Sequence, residues 1–245
     1  MVNPPDAMSE NDVIPPIIPE RLAKVFKAYD IRGLTPEEFD EPIARALGAA
    51  FAKFTRSDAV VIGRDMRASG EGLSVAFSEG VTSQGVDVTN IGLASTDLLY
   101  FASGYLNAPA AMLTASHNPA AYNGMKLCQS SAKAIGADTG LDQIQHLATQ
   151  PAISTKQRGS VHHMDLLDEF VQHVHSFVDI SALKPLKVVA DTANGMGGLV
   201  VPAAFNALPF ELEILYEDLD GTFPNHPADP LQTSHSCWLA LYQYS

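Results

Sequence analysis

The chain has 245 residues, 46% hydrophobic and 18% charged, and its 15 Lys and Arg against 28 Asp and Glu give a formal net charge of −13. That composition supplies a core and excludes a disordered chain, while the acidic balance, without a basic patch, excludes binding to nucleic acid or an anionic membrane surface. Residues 98–125 carry no charge, but Ser103, Asn107, Pro109, Ser116, His117, Asn118, Pro119 and Asn123 interrupt the run; their polar groups would be costly in hydrocarbon, so no membrane span is expected.

Met1–Pro19 holds five prolines with Asp6, Glu10 and Asp12, a disordered arm in expectation and not a secretory signal. Cys128 and Cys237 have neither metal-ligand spacing nor a disulfide framework, and a cytoplasmic location is expected. From Ala59 the pattern alternates short apolar runs with longer amphipathic ones. Ala59–Ile62 reads as a buried strand, and Gly70–Gln84 as a helix with Leu73, Phe77, Gly80 and Val81 on one face, stopped by Gly85 in the C′ position. Val86–Ile91 is a second strand, Thr96 caps a helix running to about Tyr105, and Ala110–Thr114 is a third strand. After the loop at 151–158 comes a helix over Asp165–Phe177, then a strand at Leu186–Ala190, a helix at Leu199–Leu208 and a strand at Glu211–Tyr216. The order predicts an α/β fold: two consecutive domains with mixed, largely parallel sheets, helices on both faces, and the second domain incomplete.

The stretch Thr114-Ala115-Ser116-His117-Asn118-Pro119 to Asn123-Gly124-Met125-Lys126 follows the third strand, where open α/β sheets present ligand-binding loops. Asn123-Gly124 is expected to turn the chain so that Lys126 returns toward Ser116 and His117. By themselves these residues describe an ordinary polar loop, but two arginine-bearing segments accompany it. Lys27-Ala28-Tyr29-Asp30-Ile31-Arg32-Gly33 is placed before the first strand, and Gly63-Arg64-Asp65-Met66-Arg67-Ala68-Ser69-Gly70 follows one. Guanidinium groups at a strand-to-helix turn suit phosphate; taken alone, Arg64 and Arg67 more simply make ion pairs with Asp65 or the sheet edge.

These segments, with Asp191-Thr192-Ala193-Asn194-Gly195 and Asp220-Gly221-Thr222-Phe223-Pro224-Asn225-His226-Pro227, resemble the α-D-phosphohexomutases, the phosphomannomutase/phosphoglucomutase enzymes, over roughly residues 21–231. The resemblance implies that Ser116 is a phosphoserine exchanging a phosphoryl group with a hexose 1-phosphate or 6-phosphate through a bisphosphate, which also serves as activator. It places catalytic roles on Ser116, His117, Lys126 and Arg32, and substrate contacts on Tyr29, Arg32, Asn118 and Lys126. Lys126 or His117 would take the hydroxyl proton. Mg²⁺ would bind Ser116 through its phosphate, since a phosphoserine beside a sugar phosphate needs cations to offset repulsion.

The domain division that follows is 1–19 arm, 20–160 first domain, 161–231 partial second domain, and 232–245 an aberrant tail. No charge occurs in the tail, which holds Trp238 and Cys237, and no Asp-Gly-Asp-x-Asp-Arg metal loop is read. The chain is therefore expected to be inactive by itself and to self-associate through its incomplete second domain. The alternative is a non-catalytic sugar-phosphate- or nucleotide-binding α/β module, although Val200 breaks the Gly-x-Gly-x-x-Gly spacing from Gly195. Asp218-Leu219-Asp220 reads as a strand end and turn, and His162, His163, His173 and His175 as surface residues.

Overall fold

The computed structural model describes residues 13–229; the tail at 232–245 lies outside the described residues. Residues 13–19 of the arm have defined structure, contrary to expectation. Strand β1 (Val13–Ile14) pairs antiparallel with β8 (Ala152–Ile153), and Ile14 and Ile17 are buried ahead of helix α1 (Pro19–Val25). Prolines and acids dominate the arm's composition, but two isoleucines suffice to bury this strap against the first domain.

The main sheet is built from β2 (Ile31–Leu34), β3 (Ala59–Arg64), β4 (Asp87–Leu93), β5 (Ala110–Leu113), β6 (Tyr122–Gln129), β7 (Lys133–Ala134) and β9 (Val161–His163). Its order is β2-β6-β5-β3-β4-β9, with β7 beside β6. Pairings β3–β4, β3–β5 and β4–β9 are parallel, while β2–β6, β5–β6 and β6–β7 are antiparallel. The segment around Tyr29 thus enters a strand at Ile31 and does not precede one. Likewise β9 extends the first sheet through His163, past the division expected at residue 160.

Helices α2 (Glu41–Thr55), α3 (Gly70–Ser83) and α4 (Thr96–Tyr105) cover the sheet. Alternation along β3 separates two cores: Val60 and Ile62 face Phe51 and Phe77 under α2 and α3, while Val61 faces Leu99 and Met112 under α4. Gly85, at φ +79°, ends α3 as expected. Ser95, not Thr96, caps α4 by accepting a hydrogen bond from the Leu98 N–H at 3.1 Å; adjacent hydroxyl residues look alike in sequence, and only backbone geometry chooses between them. Helix α5 (Leu141–Ala148) packs against α2.

Helix α6 (Leu167–His175), strand β10 (Leu186–Asp191), helix α7 (Gly197–Phe205) and strand β11 (Phe210–Leu215) follow, with β10 and β11 parallel. Phe170 and His173 of α6 meet the Phe101 ring of α4 at centroid distances of 5.7 and 5.0 Å, so the second unit rests on the first. Among the described residues no helix is long and apolar enough to cross a membrane.

Replacing Ile14 and Ile17 together with alanine should lower unfolding stability by roughly 2–5 kcal/mol per site. Urea unfolding checks this, and an unchanged midpoint would show that the strap is not part of the cooperative unit.

Candidate functional site

Parallel neighbours β3 and β5 send their following loops out of the same edge of the sheet. The β3–α3 turn carries Asp65 and Arg67, and the β5–β6 loop carries Ser116, His117 and Asn118. From β3 the chain steps to β4 on one side and, through α4, to β5 on the other. This reversal is where open α/β sheets form ligand crevices.

Ser116 and His117 are exposed at the loop tip, with Ser116 Oγ 3.4 Å from His117 Nδ1. Ser116 holds φ +54°, a left-handed conformation that costs a non-glycine residue roughly 1–2 kcal/mol. The loop sustains it with three contacts: the Ser116 N–H donates to Thr114 Oγ1 at 2.9 Å, the Thr114 hydroxyl donates to Asp65 Oδ2 at 2.7 Å, and Arg67 Nη2 donates to the Ser116 carbonyl at 2.8 Å.

Arg67 is the hub of this arrangement. Its side chain is only 1% exposed. Nε donates to Asp65 Oδ2 at 3.2 Å, Nη1 to the carbonyls of Pro119 and Tyr122 at 2.8 and 2.9 Å, and Nη2 to those of Ser116 and Asn118 at 2.8 and 2.7 Å. Every guanidinium N–H is thereby engaged with protein. Burial pushes the Arg67 pKa down, while Asp65 acts against the shift. The phosphate-binding reading of Arg67 is therefore corrected: its donors shape the loop, and the ion pair with Asp65 is the one it makes.

Strand β6 returns the chain, which turns twice in succession, at 115–118 and 119–122, and not at Asn123-Gly124. Those two residues sit inside β6, opposite Gly33 and Arg32 of β2. A Cβ at Gly124 would stand 2.1 Å from the Ile31 carbonyl oxygen, so the glycine serves close strand approach. Buried Asn123 donates to Ser69 Oγ at 2.9 Å. Lys126, farther along β6, contacts Asp30 Oδ2 at 3.4 Å, and Arg32 pairs with the same carboxylate. Arg32 Nη1 also donates to Asn118 Oδ1 at 2.6 Å. Arg32 and Lys126 thus join through Asp30, and Arg32 reaches the loop at Asn118. Tyr29, 83% exposed, lines a cavity of about 550 Å³ together with Lys24, Lys27, Arg32 and Asn118.

Opposite the loop lies the second unit's segment 220–229. A cavity of about 400 Å³ is bounded by Arg32, His117 and Asn118 on one side and Thr222, Phe223 and Asp229 on the other. The Phe223 ring covers the Arg67 guanidinium at 5.2 Å. A Cβ at Gly221 would lie 2.7 Å from Arg67 Cα, so this turn packs directly on the β3–α3 turn. Asn194 holds it from behind, donating to the Asp218 carbonyl at 3.0 Å and accepting from Asn225 Nδ2 at 2.8 Å. Asp218 and Asp220 therefore belong to a turn, as read from sequence. His226 Nε2 meets both Asp191 carboxylate oxygens at 3.0 and 2.9 Å, and Nδ1 meets the Pro227 carbonyl at 2.9 Å.

Among the described residues no group of three or more His, Cys, Asp or Glu is gathered for a metal. Asp30 and Asp65 are committed to cationic side chains. The described residues therefore do not fit Mg²⁺, which needs near-octahedral oxygen ligation, and a phosphate on Ser116 alone would offer too few ligands.

Sequence reasoning singled out Ser116, His117, Asn118, Arg32, Lys126 and Tyr29, named Asp65 only as an ion-pair partner for Arg64 or Arg67, and passed over Asp30, Thr114 and Phe223. The signal for the carboxylates was their placement beside arginines in Asp30-Ile31-Arg32 and Asp65-Met66-Arg67; for Phe223 no local pattern pointed across to Arg67.

The model for phosphoglucomutase/phosphomannomutase alpha/beta/alpha domain I matches residues 23–152, and that for domain II matches 168–244. The chain belongs to the phosphoglucomutase/phosphomannomutase family. It is 40% identical over 215 residues to a phosphomannomutase of Escherichia coli K12, covering 84% of this chain and 47% of that protein, and 41% identical over 208 residues to a Xanthomonas campestris protein named phosphohexose mutases. The crystal structure of a phosphoglucomutase/phosphomannomutase family protein from Burkholderia thailandensis aligns with TM-score 0.77 at 34% identity, over 86% of this chain and 48% of that one. The chain spans about half the length of the curated relatives it matches. The domain II match also runs through the residues whose composition set the tail apart.

Two outcomes are expected of the turn facing Ser116. Gly221→Ala should drive residues 220–223 off Arg67, seen as faster amide exchange there, whereas unchanged exchange would show that the contact is loose. Burial works against the charged form of His226, but the Pro227 carbonyl and Asp191 together raise its pKa above the ordinary value. The stabilisation is full below the ordinary histidine pKa of about 6.5 and is lost as pH rises through the higher folded value. Urea midpoints should fall over that window, and His226→Gln should remove the fall.

Proposed function

We propose that the chain carries the phosphoserine half of a phosphohexomutase site, in which Ser116 accepts and returns the phosphoryl group that interconverts hexose 1-phosphate and hexose 6-phosphate. The observation supporting this reading most strongly is an exposed Ser116 Oγ held at a tightly bound loop tip, 3.4 Å from His117 Nδ1 and next to the Arg32–Asn118 contact. Its organisation suits transfer from a hexose 1,6-bisphosphate.

In the loading direction Ser116 Oγ attacks a phosphorus of the bisphosphate. The Oγ–P bond forms, the bond from phosphorus to the sugar oxygen breaks, and the Oγ proton leaves while the sugar oxygen gains one. With Nδ1 unprotonated, His117 is placed to accept the serine proton; Lys126 is the second candidate for exchanging a proton with the sugar hydroxyl. The phosphoserine carries about −1.5 to −2 charge at neutral pH; Arg32, which lines the cavity, would supply positive charge, with Lys126 behind it on Asp30. Tyr29, Arg32, Asn118 and Lys126 would contact the phosphosugar. Residues 20–160 and 161–231 act in this reading as the first domain and part of the second, with the 220–229 segment as the opposite wall. A cytoplasmic enzyme of sugar-phosphate metabolism fits the reading.

Incubation with glucose 1,6-bisphosphate followed by peptide mass analysis should place phosphate on Ser116, and Ser116→Ala should abolish it with little change in stability, since an exposed hydroxyl contributes little. Phosphate on Ser69 or Ser131, with Ser116 untouched, would overturn the assignment. A coupled assay for glucose 6-phosphate from glucose 1-phosphate, run on the 245-residue polypeptide alone, should show turnover far below about 1 per second. Ordinary turnover abolished by Ser116→Ala would mean that this half suffices for the whole reaction.

A further inference from the structure

We propose that Thr114, Asp65 and Arg67 act as a positioning ring for Ser116, with the Thr114 hydroxyl as the link on which the direction of Ser116 Oγ depends. The inference rests on the reading of Ser116 as the phosphoacceptor and adds residues that touch neither the phosphoryl group nor the sugar.

The ring closes on itself. The Ser116 N–H donates to Thr114 Oγ1 at 2.9 Å, the Thr114 hydroxyl donates to Asp65 Oδ2 at 2.7 Å, Arg67 Nε donates to that same oxygen at 3.2 Å, and Arg67 Nη2 donates to the Ser116 carbonyl at 2.8 Å. The first of these bonds pins the peptide plane before Ser116 and the last pins the plane after it. Those two planes turn about φ and ψ, so holding both sets the residue at its left-handed φ of +54° and with it the direction of the Cα–Cβ bond. Backbone preference would relax Ser116 toward negative φ if either plane were released.

Thr114 is the least replaceable link. An amide approaches it as donor and a carboxylate as acceptor, so its single hydroxyl must accept from one and donate to the other. It is 7% exposed, and Asp65, Arg67 and Thr114 are all buried, so the ring is shielded from competing water. Valine has the same shape and does neither job; serine does both. Arg67→Lys retains a charge but has no planar fork to span Asp65 and the loop carbonyls.

Labelling of Ser116 by glucose 1,6-bisphosphate, followed against bisphosphate concentration, tests the ring. Thr114→Val should lower the maximal labelling rate by about tenfold or more, as a misaimed nucleophile does. The half-saturating concentration should hold, because Thr114 makes no contact with the ligand. Thr114→Ser should label like the wild type, and Arg67→Lys should be slow. The ³¹P resonance of any phosphoserine formed on folded Thr114→Val should differ from wild type, a change that loss of folded material cannot produce. Wild-type rates in Thr114→Val would overturn the inference, as would equal losses in the valine and serine variants that track their unfolded fractions. Wild-type protein that takes no phosphate on Ser116 would overturn the phosphoacceptor reading, and this inference with it.

Discussion

A single buried guanidinium organises this molecule's chemistry. Arg67 has five N–H groups and nowhere to place them but in protein: one on Asp65 and four on the carbonyls of Ser116, Asn118, Pro119 and Tyr122. Taking an arginine out of water is expensive, and a buried ion pair is weak evidence of net stabilisation, since a well-packed apolar substitute is often as stable. What an apolar substitute cannot do is hold four carbonyls of an irregular loop in fixed directions. The arrangement gives conformational specificity to residues 114–122; from the second unit, Phe223 covers the guanidinium and Gly221 packs on the Arg67 backbone.

The sheet makes this hub possible. Parallel pairing of β3 and β5 puts the Asp65–Arg67 turn beside the Ser116 loop, although 49 residues separate Arg67 from Ser116. The antiparallel strand β6 then threads between β2 and β5, carrying Lys126 to Asp30 and setting Gly124 against Arg32. The mixed sheet does two things: parallel strands gather the β3–α3 and β5–β6 loops at one edge, and the antiparallel return brings Lys126 of β6 and Arg32 of β2 onto Asp30. Arg32 and Lys126 thus gather on one carboxylate, Asp30, within a chain of net charge −13.

Much of this was legible in the residues. Periodicity marked β3, α3, β4, α4, β5, α6, β10, α7 and β11 to within a few residues, because their apolar faces repeat every two or 3.6 positions. It passed over β6, whose Tyr122-Asn123-Gly124 opening looks like a turn; the return to the sheet comes from pairing with β2 and β5, which no local pattern encodes. The arm up to Pro19 looked disordered because its composition is, whereas Ile14 and Ile17 find their burial against residues far along the chain. Residues 161–163 were not read as a strand because an edge strand of three exposed residues has no apolar face to announce it.

Residue types and their order alone carried the reading that the chain is α/β, and the family resemblance of its motifs grouped Ser116, His117, Asn118, Arg32 and Lys126. The first follows from side-chain period and turn residues, which are local; the second rests on motif resemblance and not on spacing. Which arginine lines a cavity and which one builds the loop was decided only by tertiary structure. Arg32 and Arg67 are the same side chain beside the same kind of carboxylate in sequence. Burial separates them. Arg32 stays partly exposed at the rim of the cavity, while Arg67 lies under the loop, where every donor must find a protein acceptor because no water is there to take it.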